Sequence, residues 1–182
     1  MTRPRAVLGV VETATAHHEL VPNGRRDSRV RRVATTVLDW TIDGVPLREH
    51  LTDEGDDGQG FERVTMLGDL PDQACAQIDR LLGRDWPDGD DGRTALLVCA
   101  ECGSLDCGAV TALVVFSRDA VEWRDVRFEF PTCHGHPIES EDPPVAFTFD
   151  RHSYSAVLMD LRARFDPGPV ADPADPPNAR RG

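Results

Sequence analysis

The chain has 182 residues, five cysteines and a formal net charge of −12, and all of its basic residues are arginine. A length of this order fits one domain that buries its own core without needing disulfides or metal merely to fold. The negative charge sets it against broad nucleic-acid binding, which needs a basic field to neutralise phosphate. No apolar run approaches the ~20 residues of a membrane span. The opening MTRPRAVLGVVETAT turns polar too early for a signal core, so the expectation is a cytoplasmic protein with reduced thiols. The odd cysteine count also argues against a disulfide framework. A basic set made of arginine alone reads as the drift of a high-GC bacterial genome.

Ala6 to Thr15 is apolar and β-branched enough for a strand, and Pro22-Asn23-Gly24 marks a turn. Arg29 to Thr41 again favours strand, closed by the turn signal Asp43-Gly44. The five arginines between Arg25 and Arg32 form the one basic cluster, read as a solvated strand face. Pro46 to Leu51 has room for one helical turn. Thr52 to Gly60 (TDEGDDGQG) is an acidic, glycine-rich loop. Its spacing fails a calcium reading: counting from Asp53, the third ligand position is Gly55 and the twelfth is Val64. Phe61 to Leu67 suits a short strand.

A helix is expected over Gly68–Gly83, with Pro71 in its first turn, Ala74, Ile78, Leu81 and Leu82 on one stripe, and Gly83 as the C-terminal cap. Cys75 falls one position off that stripe, as a small packed residue. Asp85 to Gly92 (DWPDGDDG) is a second acidic turn region. Ala95–Ala100 and Ala109–Phe116 are apolar on both alternating faces, as strands central to a sheet are. In VEWRDVRFEF, Trp123, Asp125, Arg127 and Glu129 share the mostly polar parity, and Val126, Phe128 and Phe130 the apolar one. Thr132 to Pro144 is a loop, and Val145 to Phe149 a short strand. Asp150 can cap a helix over Arg151–Phe165 whose buried stripe runs through Tyr154, Val157 or Leu158, Leu161 and Phe165.

Chemistry concentrates where Cys99, Cys102 and Cys107 stand in a C-x2-C-x4-C arrangement between the two apolar strands. Two geometries compete. In an unbroken hairpin with Gly103–Asp106 as its loop, Cys102 and Cys107 face each other with Cβ atoms about 4.5–5.5 Å apart. Such a pair is near enough to oxidise where the strand geometry permits. Cys99 then points to the opposite face, about 10 Å along the strand, and cannot join them. In the other geometry the strand stops near Cys99 and Cys102-Gly103 forms a tight knuckle. Both thiols then turn toward one ion, with Cys107 as third ligand. The fourth would come from PTCHGHP, as Cys133, His134 or His136, with His134 carried forward. Thiolate and imidazole together suit zinc. A plainer reading makes the three cysteines small residues in and around a sheet core.

Other chemistry finds less support. A thioredoxin-like site wants its C-x-x-C at a helix N-terminus, whereas here glycine and a β-branched run follow. There is no phosphate-binding loop, no nucleophile elbow and no H-E-x-x-H. His17 and His18 are adjacent in a strand-like stretch and point to opposite faces. Cys133 beside His134 or His136 lacks a third group to orient an activated thiol.

Several segments in order resemble a family of small bacterial proteins of uncharacterised role. They are MLGDL at Met66–Leu70, LLVCAECGSLDCGAVTA at Leu96–Ala112, VEWRDV at Val121–Val126 and FTFDRHSYSAVL at Phe147–Leu158. The likeness runs from Trp40 to Leu161 and is most specific in the cysteine block, which reads C-x-E-C-G-D-x-G-C-G-A in that family. This chain keeps the cysteines and Gly103 but has Ser104 in place of aspartate and Asp106 in place of glycine. PTCHGHP is not in the pattern. The resemblance implies a common domain and brings no reaction with it.

The expectation is an α+β domain over residues 1–165, with a mostly antiparallel sheet carrying the two helices, and a disordered proline-rich tail over 166–182. The expected role is non-catalytic binding or interaction, regulatory or immunity-like. It has a protein partner, no nucleic acid and no membrane, with zinc at Cys99, Cys102, Cys107 and His134. The alternative is a thiol oxidoreductase using Cys102 and Cys107.

Overall fold

The computed structural model describes residues 4–22, 28–51, 63–129 and 145–166, with backbone only over 17–22 and 28–30. The first two β-branched runs become β1 (Leu8–Pro22) and β2 (Ser28–Ile42), antiparallel and in unbroken register from Leu8↔Ile42 to Pro22↔Ser28. β1 runs well past Thr15, through His17 and His18. At Asp43 and Gly44 φ is positive, 54° and 82°, the conformation that a two-residue Asp-Gly hairpin turn requires. The chain returns into β3 (Val45–Pro46) and a 3-10 turn, Leu47–His50. Among the hairpin residues whose side chains are described, the buried apolar ones, Leu8, Val37, Trp40 and Ile42, lie in the half nearer this turn.

Five further strands form the second sheet: β4 (Arg63–Val64), β5 (Arg93–Cys99), β6 (Ala109–Phe116), β7 (Ala120–Glu129) and β8 (Val145–Asp150). They lie in chain order with every neighbour antiparallel. Helix α1 (Pro71–Leu81) joins β4 to β5, and α2 (Arg151–Phe165) follows β8. The two sheets are stitched together at both sides. Leu38 N–H donates to Leu67 O at 2.9 Å, and Ala6 N–H donates to Thr148 O at 2.7 Å. The fold class is α+β, as the periodicities implied. The loops expected over 52–60 and 132–144, and the tail beyond Asp166, lie outside the described residues.

The helices form where their punctuation says. At the end of α1, Gly83 (φ 68°) sends its N–H to Arg80 O and lets Arg84 N–H reach Asp79 O, satisfying carbonyls the helix would leave unpaired. Asp150 caps α2, accepting from Ser153 N at 3.0 Å. Ala74, Ile78 and Leu81 of α1 and Tyr154, Leu158 and Leu161 of α2 pack into one core with Trp40, Leu97, Trp123 and Phe149. Burying each of the leucine, isoleucine and phenylalanine side chains among them contributes roughly 1.5–3 kcal/mol. The polar tips are not left stranded: Trp123 Nε1 donates to Tyr154 Oη at 3.1 Å, and that hydroxyl donates to Leu81 O at 2.9 Å.

Two β-bulges set which residues face that core. In β5 the register steps from Ala95↔Thr111 to Leu97↔Val110, so β5 carries one extra residue. The carbonyls at this step find side chains instead of ladder partners. Gln77 Nε2 donates to Ala95 O and Leu96 O at 3.0 and 3.2 Å, and Trp40 Nε1 donates to Leu96 O at 3.2 Å. In β7 the extra residue falls between Trp123 and Val126, where Asp125 has φ 51°. This bulge overturns the parity expected for VEWRDVRFEF. Trp123 does not share a polar face with Asp125 and Glu129. It is fully buried with Val121, and Val126 resumes the same core after the bulge.

Candidate metal centre

The apolar run of β5 carries Cys99 to the strand's last position, where it is buried. The chain then breaks. Gly103 adopts φ 64°, and its N–H donates to Cys99 O at 2.9 Å, closing a turn through Ala100–Cys102. Ser104 Oγ accepts from Asp106 N at 3.0 Å and starts the short 3-10 turn Leu105–Cys107. Gly108, at φ 84°, leads straight into β6. A side chain could not stand there, because a Cβ on Gly108 would lie 2.5 Å from Phe128 Cζ and 3.1 Å from Glu129 O. Of the two geometries open to the sequence, the broken strand is the one adopted.

The result is convergence. The sulfurs of Cys99, Cys102 and Cys107 all lie within 4.8 Å of one another, and Cys102 Sγ is 3.3 Å from Cys107 Sγ. A zinc–sulfur distance of about 2.3 Å places tetrahedral thiolates about 3.7–3.8 Å apart, a spacing that the 3.3 Å pair and the 4.8 Å bound on the triad accommodate. Cys102 and Cys107 are exposed and Cys99 is buried, which gives the triad an inner and an outer side.

Local electrostatics separate the two exposed thiols. Burial pushes Cys102 up, but the Ser104 backbone N–H and the thiols of Cys107 and Cys99 outweigh it and hold Cys102 below the ordinary range. Its bond to Cys102 pushes Cys107 up to about 11, with burial acting the same way. One proton therefore leaves the pair readily and the next with difficulty. A cation that replaces those protons removes the obstacle, since thiolates are the metal-binding form.

Arg63 holds the loop from the outside. It is buried at the β4 position paired with Cys99, its Nη2 donates to Cys107 O at 2.9 Å, and its guanidinium lies 5.0 Å from the centre of the Phe128 ring. Leu105 packs beneath the turn against the small cluster of Ala95, Val98 and Ala109. Neither Arg63 nor Leu105 was visible as a site residue in the sequence. Gly103 was the turn signal read in the sequence, and Gly108, which also follows a cysteine, was a second that went unread.

Among the described residues, this triad is the one group of three or more candidate ligand side chains. His134, with Cys133 and His136, lies outside the described residues. Cys75 sits half-buried on α1, and burial pushes its thiol up, as befits a packed residue. No described helix is long and apolar enough to cross a membrane. The chain matches no family model, no curated protein and no solved structure.

Proposed function

We propose that this is a non-catalytic binding protein of the resembled bacterial family, built around a thiolate metal site, with zinc held by Cys99, Cys102 and Cys107. The single observation that carries the reading is the convergence of the three sulfurs within 4.8 Å at a broken strand. Three soft donors with no carboxylate among them suit zinc and disfavour magnesium or calcium. A bound ion would tie the end of β5 to the start of β6 and so stabilise the hairpin they form. A regulatory or immunity-like interaction with another protein is compatible with the acidic charge, which also disfavours nucleic acid.

Elemental analysis of the purified reduced chain tests the metal, with one zinc per chain expected and Cys99→Ser expected to lose it. Substoichiometric zinc, together with unchanged stability under a chelator, sinks the proposal. A second reading, thiol–disulfide exchange on other substrates by Cys102 and Cys107, draws on their 3.3 Å contact. It lacks the helix N-terminus such catalysis uses: only a three-residue 3-10 turn leads into Cys107. It also leaves Cys99 without a role.

A further inference from the structure

The three sulfurs differ in what can reach them, and the difference falls between ligands of one site. Cys99 is 1% exposed at the end of a buried strand, whereas Cys102 and Cys107 are both exposed. The exposed pair is also the close one, at 3.3 Å. A disulfide needs the sulfurs to close to about 2.05 Å. The turn that joins them is the short segment Gly103–Asp106, which opens on Gly103 at positive φ and is followed, after Cys107, by Gly108 at positive φ, outside the regular pairing of β5 and β6. Closing that gap asks for movement in the turn and leaves both strands in place.

We infer that the metal site is redox-gated: a low-molecular-weight disulfide oxidises Cys102 and Cys107 to a bond with each other, and the ion is released. The inference rests on the metal reading above and adds regulation to it. The chemistry balances in two exchange steps. The Cys102 thiolate attacks one sulfur of the small disulfide, forming a mixed disulfide and expelling one small thiolate. The Cys107 thiolate then attacks the Cys102 sulfur of the mixed disulfide, forming the Cys102–Cys107 bond and expelling the second small thiolate. Two electrons pass from the protein sulfurs to the small disulfide. The expelled thiolates take up protons from solvent, and the metal keeps Cys99 as its one protein thiolate. One thiolate cannot hold an ion that three held, so the ion leaves. Excess small thiol runs both exchanges backwards and restores the site.

The test uses the full chain, loaded with zinc under reducing conditions and then exposed to oxidised glutathione. Free zinc is followed with a chromogenic chelator, and disulfides are mapped by mass spectrometry after alkylation. The expected result is loss of the bound zinc in step with a Cys102–Cys107 disulfide. Cys99 should stay open to alkylation once the chain is denatured, and zinc binding should return on adding dithiothreitol. Zinc retained through the treatment, or a disulfide that includes Cys99, overturns the gating and leaves the metal site standing. A reduced chain that takes up only substoichiometric zinc overturns the metal reading, and the gating falls with it. A Cys102–Cys107 disulfide in such a chain would then mark a bare thiol pair.

Discussion

Strand β5 begins at a buried cation and ends at a buried thiol, and its two ends treat burial in opposite ways. At the first end Arg93 is 3% exposed and bonded through all three of its guanidinium nitrogens. Its guanidinium donates to Thr111 Oγ1 at 2.8 Å and to Asp125 Oδ2 at 2.9 Å, and lies 3.0 Å from Glu129 Oε2. The bulge in β7 turns both the carboxylate and the carbonyl of Asp125 toward it. At the other end Cys99, Cys102 and Cys107 offer three donors whose mutual contacts are weak, because sulfur is a poor hydrogen-bond partner. The Arg93 end is a closed network that needs nothing from outside. The cysteine end is a donor set that a cation would complete. A saturated network buys rigidity, whereas an incomplete one can respond to a ligand.

The largest effect is expected at the closed end. Arg93→Ala should lower the unfolding free energy by about 3 kcal/mol, the lower end for breaking a buried pair, since Arg127 still holds both carboxylates. Urea unfolding measures it, and a loss no larger than that of a surface substitution would show that the network is not the anchor of β5. The open end should respond to metal. Zinc at a hundredfold excess over Kd should stabilise the reduced chain by about 2.7 kcal/mol. Cys99→Ser should abolish that increment and Arg93→Ala should leave it intact. An increment lost in both would mean that the two ends are one cooperative unit.

Gly108→Ala should cost about 1–3 kcal/mol, because its φ of 84° and its contact with Phe128 admit no Cβ. It should also weaken zinc binding, by turning Cys107 away from its partners. Thermal unfolding with and without zinc separates the two effects. The smallest effect is a pH dependence at the closed end. Burial pushes Glu129 up, but Thr111, Arg127 and Arg93 outweigh it and hold its carboxyl below the ordinary 4.5. A depressed folded pKa means that stability is fully present above 4.5 and is lost as pH falls through the folded value. Glu129→Gln should remove that acid-side loss, worth less than about 1 kcal/mol for so partly exposed a pair. A pH profile of the unfolding midpoint that is identical in the two proteins would assign the acid sensitivity elsewhere.

Much of this was legible in local sequence. Asp43-Gly44, Gly83 and Asp150 each mark a boundary through their own backbone or capping chemistry, and all three stand where expected. Strands β5, β6 and β8 and the stripes of both helices follow from periodicity, which short-range sterics impose. The face assigned to Trp123 did not follow, because an extra residue in β7 inverts the parity that alternation assumes. Arg93 carried no signal in the sequence, because its partners are supplied by the bulge at Asp125.

The cysteine block shows where that boundary lies. Its residue types and Gly103 marked a candidate thiol site and a turn between β5 and β6. They did not choose between a facing pair and a converging triad. That choice depends on where β5 stops, and β5 stops at Cys99 because Gly103 turns back onto its carbonyl while Arg63, from another strand, holds Cys107 in place. Sequence pattern determines the local propensity of each segment. The convergence of three sulfurs is a long-range arrangement, decided only when β4, β5 and β7 are packed together around the turn.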